Sequence, residues 1–200
     1  NHRFLVTEQG TPFFWLGDTG WEMLHRLDRR EIEHYLRNRA GKGFTVIQTI
    51  SVFALGGNAY GDLPLMDRDP SRPNEDYFRH VDQIVQYAEE LGLFIGMLPT
   101  WGAYWKLDGR ATAIFTPENA RAYGRFIGER YRDNAIIWIL GGDRTADRVG
   151  VSVADGSQLL AVGDEQVDER RLERTAPLGL DHADGVLVGH RRAIDPVLSQ

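Results

Sequence analysis

Apolar residues follow two alternating patterns along the chain up to about residue 140. Short apolar runs at residues 44–50, 93–98 and 135–140 are typical of buried strands. Between them, apolar residues recur every three or four positions, which is typical of helices that bury one face. The clearest of these stripes ends at Gly92 and consists of Phe78, Val81, Ile84, Val85, Ala88 and Leu91. A hairpin over residues 3–16 comes first, and its second arm counts as the first strand. The predicted order is therefore hairpin, then β-α-β-α-β-α-β.

Two of the predicted helices have recognisable first residues. Asp28 is followed three residues later by Glu31, a pattern that is typical of a capping box. Thr116 is followed by Pro117, and proline is favoured at the first position of a helix. The sequence therefore predicts that helices begin at these two points.

The predicted strands are apolar on both faces, and such strands belong to a parallel sheet that helices cover. Each strand is followed by a loop that is longer and more polar than the loop before it. This asymmetry fits a (β/α)8 barrel, whose chemistry lies on the loops after the strands. A doubly wound sheet is the alternative, but the chain has no G-x-G-x-x-G motif after the first strand and no G-K-[ST] motif. We therefore expect an α/β fold of the TIM-barrel type, present as its N-terminal half (strands 1–4) with an N-terminal hairpin.

The charge and composition of the chain exclude several classes of binding partner. The net charge is -6 and Lys and Arg form no cluster, so we expect no nucleic-acid partner. No apolar run approaches the ~18 residues that a membrane span needs, so we expect no membrane partner. The chain has no cysteine, and its six histidines form neither an H-x-H nor an H-E-x-x-H motif. We therefore expect no metal site and no cofactor.

The end of the chain differs in character from the rest. The last 62 residues, after Trp138, contain none of the 21 aromatic residues (nine Phe, seven Tyr and five Trp). A TIM barrel typically needs ~250 residues, whereas 57 residues follow Asp143. Residues 149–162 predict a hairpin. We therefore predict that residues 1–144 are the first half of a barrel and that residues 145–200 are an atypical tail, of the kind that a frameshift or a misjoined gene produces.

Aromatic and polar residues gather in the predicted loops after the strands. Trp101, Tyr104 and Trp105 lie within five residues of one loop, which exceeds what core filling needs and suits a carbohydrate platform. The alternative is that they pack against the neighbouring helix. Further candidates for substrate contact are Asp18, whose alternative role is to cap the next turn, and Trp21, Gln48 and Asn58.

Four runs of sequence are distinctive as a set. They are residues 12–19 with Trp21, residues 58–64, residues 98–102 and residues 136–144. Together they closely resemble the apiosidase-like catalytic domain, which includes glycoside hydrolase family 140, over about residues 3–144 only. The resemblance implies a TIM-barrel glycosidase that acts on plant cell-wall polysaccharide and removes terminal apiose from a pectin side chain. It also implies an extracellular or periplasmic protein, although this chain shows no signal peptide.

Asp143 is the candidate with the clearest chemistry. Glycoside hydrolysis needs one carboxyl group that donates a proton to the leaving oxygen and a second that attacks the sugar or activates water. Asp143 follows an apolar strand and two glycines that let a sugar approach, and the resemblance implies that it is the acid/base residue. Arg144 beside it is a candidate for substrate contact. The alternative is that Asp143 caps a helix or pairs with Arg144.

The second carboxylate is harder to find. The resemblance implies a glutamate nucleophile after a later strand, and the chain has no matching motif. The glutamates after Asp143 are Glu165, Glu169 and Glu173, whose spacing of four places them on one face of a helix. The sequence therefore leaves two interpretations open. Either the chain is part of an active glycosidase, or it is an inactive or truncated half-barrel that binds carbohydrate without turnover.

Overall fold

A computed structural model describes residues 5–7, 9–105 and 113–139, together with the backbone of four strands between residues 150 and 196. The helices are α1 (Met23–Arg26), α2 (Arg29–Gly41), α3 (Glu75–Glu90) and α4 (Pro117–Arg130). The strands up to residue 139 are β1 (Leu5–Val6), β2 (Pro12–Phe13), β3 (Gly17–Thr19), β4 (Val46–Val52), β5 (Phe94–Thr100) and β6 (Ile136–Ile139). The later strands are β7 (Gly150–Ala154), β8 (Gln158–Gly163), β9 (Val186–Leu187) and β10 (Asp195–Pro196).

Strands β3, β4, β5 and β6 form a parallel sheet in chain order. Its register places Asp18 opposite Ile47, Ile47 opposite Ile95, and Ile95 opposite Ile136. Parallel neighbours need a crossover connection, and α2, α3 and α4 supply the three crossovers. The predicted β-α-β-α-β-α-β order is therefore confirmed. The short strand β9 lies antiparallel beside β6.

The N-terminal hairpin is confirmed, but its second arm ends earlier than predicted. β1 and β2 pair antiparallel with Leu5 opposite Phe13, and β10 pairs with the other side of β1. The parallel sheet begins with β3, which follows the predicted hairpin and whose polar residues are typical of a loop. The pattern misleads because Asp18 faces α2 and is paired there with Tyr35 and Arg39. A polar residue that has a partner on the covered face of a sheet is compatible with a strand.

Both predicted helix starts are confirmed. The Asp28 carboxylate accepts a hydrogen bond of 2.9 Å from the Glu31 N–H, and the Glu31 carboxylate accepts one of 2.9 Å from the Asp28 N–H. The Thr116 hydroxyl accepts from the Asn119 N–H at 3.3 Å, and the Asn119 side chain accepts from the Thr116 N–H at 2.7 Å. Each pair satisfies two N–H groups that the first turn of a helix leaves free. The hairpin predicted over residues 149–162 is also present, as the antiparallel pair β7 and β8.

The parallel sheet is apolar on both faces, as its strand sequences predict. One face packs against the helices and forms the main core, whose largest fully buried side chains include Tyr77, Phe78 and Tyr123. The opposite face, which would line the inside of a barrel, carries Ile50, Leu98 and Ile139. No helix in the described part of the chain is both long and apolar enough to span a membrane.

Candidate active site

Three aromatic rings from three successive loops meet at the carboxyl end of the sheet. Trp21 lies just after β3, Phe53 directly after β4 and Trp101 directly after β5. The ring centroids of Trp21 and Trp101 are 6.3 Å apart, and those of Phe53 and Trp101 are 6.2 Å apart. All three side chains are half-buried. We call Trp21, Phe53 and Trp101 the aromatic cluster.

The aromatic cluster contains two of the predicted site residues and one that sequence reasoning missed. Trp21 and Trp101 were candidates for substrate contact, and the structure brings them together. Phe53 was not a candidate, since a single phenylalanine at the end of an apolar strand is indistinguishable from core. Its signal is positional, because the residues directly after parallel strands meet at one edge of the sheet.

The inner face of the sheet supports the aromatic cluster from below. Ile50, Leu98 and Ile139 are buried there and pack against the cluster. Gln48, a predicted site residue, lies on the same face, because a Cβ built on Gly96 would be 3.2 Å from the Gln48 Cγ and 3.0 Å from the Ile139 Cδ1. Any side chain at position 96 would therefore displace these neighbours. The glycine leaves room for Gln48 between the strands.

Buried tyrosines hold the strand ends that carry the cluster. The ladder between β4 and β5 skips Ser51 and Pro99, and proline has no N–H to donate. The Tyr77 hydroxyl donates to the Ser51 carbonyl at 2.8 Å, and the Tyr123 hydroxyl donates to the Pro99 carbonyl at 3.0 Å. The Tyr104 hydroxyl donates to the carbonyl of Phe53 in the aromatic cluster at 3.1 Å. Burial raises the pKa of all three tyrosines, so their hydroxyls stay protonated.

Loss of one of these hydroxyls should lower the free energy of unfolding. Tyr123 is fully buried, and its hydroxyl also bonds to the Ser51 Oγ at 2.9 Å. We expect Tyr123→Phe to lower the free energy of unfolding by about 1–3 kcal/mol, because the Pro99 carbonyl loses its donor in a buried place. Urea denaturation of the two proteins measures this difference. A change within error of zero would show that the hydroxyl is not needed to hold the strand ends.

Asp18 is placed on the helix side of the sheet, away from the inner face. The Tyr35 hydroxyl donates to its Oδ2 at 3.0 Å, the Thr19 N–H donates to its Oδ1 at 2.9 Å, and Arg39 forms an ion pair with it. Burial alone would raise the pKa of Asp18, but the hydrogen bonds from Thr19 and Tyr35 and the charge of Arg39 outweigh it and lower the pKa. Burial and the bond to Asp18 raise the pKa of Tyr35 to about 12. The Asp18 carboxylate thus has its hydrogen-bond and ion-pair partners within the fold.

This placement predicts a pH-dependent effect on stability. Because the pKa of Asp18 is lowered in the folded state, its charge stabilises the fold above the unfolded pKa, and this contribution disappears as the pH falls through the folded pKa. We expect Asp18→Asn to lower the Tm at neutral pH, with a difference that closes below about pH 4. Thermal melts across this pH range measure it. A Tm difference that is constant with pH would contradict the structural role, and weaker sugar binding by this variant would favour the substrate contact that the sequence predicts.

Asn58 closes the loop after β4. Its side-chain oxygen accepts from the Tyr60 N–H at 2.9 Å and from the Asp62 N–H at 3.0 Å, and the residue is 7% exposed. Within the same loop, a Cβ on Gly57 would lie 2.7 Å from the Gly61 carbonyl oxygen, so only glycine permits this close approach. Asn58 therefore shapes the loop, and its predicted contact with substrate stays a prediction.

The aromatic residues at 101–105 separate into two groups. Trp101 joins the aromatic cluster, whereas Tyr104 and Trp105 are half-buried against the core between the sheet and the helices. Tyr104 and Trp105 therefore pack against the core, as one of the two sequence-based interpretations had it. The position of Trp101 fits the other interpretation, a platform for carbohydrate. Substrate contact by Trp105 stays a prediction that the structure does not favour.

Asp143 and Arg144 lie outside the described residues. The sequence places Asp143 four residues after β6, which ends at Ile139. Among the residues that the structure describes, no group of three or more His, Cys, Asp or Glu side chains could hold a metal ion.

Comparison with known protein families gives a match over most of the chain. The family model described as "Apiosidase-like, catalytic domain" matches residues 1–184. This match includes all four distinctive runs and extends past residue 144, where the resemblance was expected to end. No curated protein matches the chain.

Solved structures of glycoside hydrolases share the fold. One, described as "Glycoside hydrolase", is 35% identical with a TM-score of 0.62, and the match covers 73% of this chain and 35% of that one. A glycoside hydrolase family 5 protein from Bacteroides vulgatus ATCC 8482 is 32% identical with a TM-score of 0.62, over 73% of this chain and 34% of that one. The exo-beta-1,4-mannosidase Op5Man5 from Opitutaceae bacterium strain TAV5, 17% identical over 71% of this chain and 27% of that one with a TM-score of 0.52, shows the fold alone. The chain spans about a third of the length of the first two structures, and the predicted TIM-barrel fold class is confirmed.

Proposed function

The chain belongs to the apiosidase-like catalytic domain family, and we propose that it is part of a glycoside hydrolase whose sugar lies on the aromatic cluster. The observation that carries this proposal is the meeting of Trp21, Phe53 and Trp101 at the carboxyl ends of three parallel strands. The carboxyl end is the catalytic face in TIM-barrel enzymes. Aromatic rings offer an apolar face to the C–H groups of a sugar, while polar groups nearby fix its hydroxyls.

The substrate class that we propose is plant cell-wall carbohydrate of the pectin type, with a terminal apiose as the sugar that is released. The family resemblance supports this choice. The inner face below the aromatic cluster offers Gln48, whose amide can both donate to and accept from sugar hydroxyls. Among the described residues, this mixture of half-buried rings and an amide suits a neutral sugar unit.

The reaction that we propose uses Asp143 as the general acid. Its carboxyl group donates a proton to the oxygen of the leaving group while the glycosidic bond breaks. Where the reaction passes through a glycosyl-enzyme, the resulting carboxylate then accepts a proton from the water that hydrolyses this intermediate. A second carboxylate must attack the sugar or activate water on the opposite face. We assign none of this chain's glutamates to that role.

A second candidate function is carbohydrate binding without turnover. One observation favours it: the sequence contains no motif that matches the family's glutamate nucleophile. In this case the aromatic cluster would still bind sugar, and Asp143 would have no chemical role.

One experiment separates the two functions. The protein that contains this chain, purified at the length at which it occurs, is incubated with apiose-bearing pectic oligosaccharides. Released sugar is measured by chromatography, and binding is measured in parallel by calorimetry. Release of apiose supports the glycoside hydrolase. Binding without release supports the second function. Absence of both from a chain that melts cooperatively would overturn the proposal.

A further inference from the structure

A shallow, open cleft on the helix side of the molecule is a candidate for a second ligand site. It has a volume of about 300 Å³ and is lined by Tyr60, Asp62, Asp76, Arg79, His80 and Gln83. None of these residues belongs to the aromatic cluster. The residues from α3 recur at the spacing of one helix face, so they form one wall of the cleft, and the loop after β4 forms the other.

The most prominent feature of the cleft is an exposed aromatic ring that is held in place. Tyr60 is 55% exposed, so much of its side chain is accessible to a ligand. Its hydroxyl accepts a hydrogen bond of 2.9 Å from the Arg29 N–H at the start of α2. Its ring packs edge-on against His80 with 5.1 Å between the centroids. Two contacts thus fix the ring before any ligand binds, which lowers the entropy cost of stacking a ligand on it.

The loop that carries Tyr60 is also fixed. The Asn58 side chain bonds to the N–H groups of Tyr60 and Asp62, as described above. His80 is 6% exposed, so it forms a rigid base under the ring. The exposure of Tyr60 is therefore a property of an ordered loop.

The charges around the cleft indicate which ligands it excludes. Arg79 is paired with Asp76, so its charge is offset within the cleft. Asp62 then leaves the lining with a net negative charge, which repels phosphates, sulfates and uronic acids. The polar rim does not suit a purely apolar ligand. The carboxylates of Asp62 and Asp76 accept hydrogen bonds from hydroxyl groups, and the exposed amide of Gln83 can donate and accept.

We propose that this cleft binds a neutral sugar unit, with the sugar's C–H face stacked on Tyr60 and its hydroxyls donating to Asp62 and Asp76. In a glycoside hydrolase, such a site would hold a further neutral unit of a pectic side chain while another unit lies on the aromatic cluster. The ligand class follows from the lining of the cleft alone, whereas this role in holding a polymer rests on the proposed function.

The test measures sugar binding to the 200-residue chain by saturation-transfer NMR and calorimetry. The probes are the methyl glycosides of glucose, galactose, xylose and arabinose as neutral sugars, galacturonic acid as an anion and glucosamine as a cation. The variants are Tyr60→Ala and Gln83→Ala. Leu63→Ala is the matched control, since Leu63 is exposed in the same loop but does not line the cleft. Gln83 is exposed on α3, so its loss leaves the fold intact.

We expect at least one neutral glycoside to bind, with an affinity that falls about tenfold in Tyr60→Ala and less in Gln83→Ala. Leu63→Ala should leave this affinity unchanged. No binding of any neutral probe, tighter binding of the charged sugars, or unchanged binding in Tyr60→Ala and Gln83→Ala would overturn the proposal. Binding that is lost in Trp101→Ala alone would also overturn it, while supporting the proposed function at the aromatic cluster.

Discussion

Replacement of Asp143 by Asn is expected to lower kcat for release of apiose from pectic oligosaccharides by about 10²–10⁴-fold. An amide of the same shape cannot donate a proton to the leaving oxygen, and general acid catalysis contributes this much to such reactions. KM should change little, because the variant keeps the size and polarity of the side chain. Initial rates across a range of substrate concentrations measure both constants.

The control for this prediction lies at the other end of the same strand. Asp133 is exposed and lies three residues before β6 begins. It is therefore at the amino end of the sheet, whereas the proposed catalytic site is at the carboxyl end. Asp133→Asn makes the same chemical change there, and we expect its kcat to equal that of the unmodified chain. Equal rates for Asp143→Asn and the unmodified chain would rule out Asp143 as the acid. A wild-type chain that binds the oligosaccharide but releases no sugar would favour the binding function instead.

Replacement of Trp101 by Ala is expected to weaken sugar binding at the proposed site by about 10–100-fold. Trp101 contacts both other rings of the aromatic cluster, so its loss removes the central stacking surface and separates Trp21 from Phe53. Trp101→Phe keeps an aromatic face and should recover most of the affinity. Calorimetric titration with the pectic oligosaccharide measures the dissociation constants.

Trp105→Ala is the matched variant, since it removes the same side chain from the same loop. Trp105 packs against the core between the sheet and the helices, so this variant should lower the free energy of unfolding and leave the sugar affinity unchanged. If Trp105→Ala weakens binding as much as Trp101→Ala, the sequence-based prediction for Trp105 is correct and the aromatic cluster does not define the sugar site.

The architecture could be predicted because local sequence and global fold agree in most of the chain. The apolar run at residues 93–98 is too short for a helix and is apolar on both faces, so it is compatible only with a buried strand. The Asp28 and Thr116 caps indicate where α2 and α4 begin, because their side chains form hydrogen bonds within the first turn of the helix. Each of these features can be identified from a few consecutive residues, so it can be predicted from the sequence alone.

The site could be predicted only in part, because it depends on which face of the sheet each residue occupies. Asp18 lies between Trp15 and Trp21 in the sequence, a setting that predicts substrate contact. Successive strand residues alternate between faces, and the three-residue strand β3 turns Asp18 toward α2, so this contact stays a prediction. Phe53 was missed for the opposite reason, since the end of an apolar strand gives no local sign that its last ring meets Trp101. Both outcomes follow from long-range register, which single-sequence patterns do not contain.

The most direct test of the account is to follow the five tryptophan indole N–H signals by NMR while the pectic oligosaccharide is added. Because the sugar is proposed to lie on the aromatic cluster, we expect large shifts for the indoles of Trp21 and Trp101. The signals of Trp105 and Trp138, which lie in the core on the helix side of the sheet, should stay in place. Shifts confined to Trp105 or Trp138, or no shift in a chain that calorimetry shows to bind the sugar, would contradict the account.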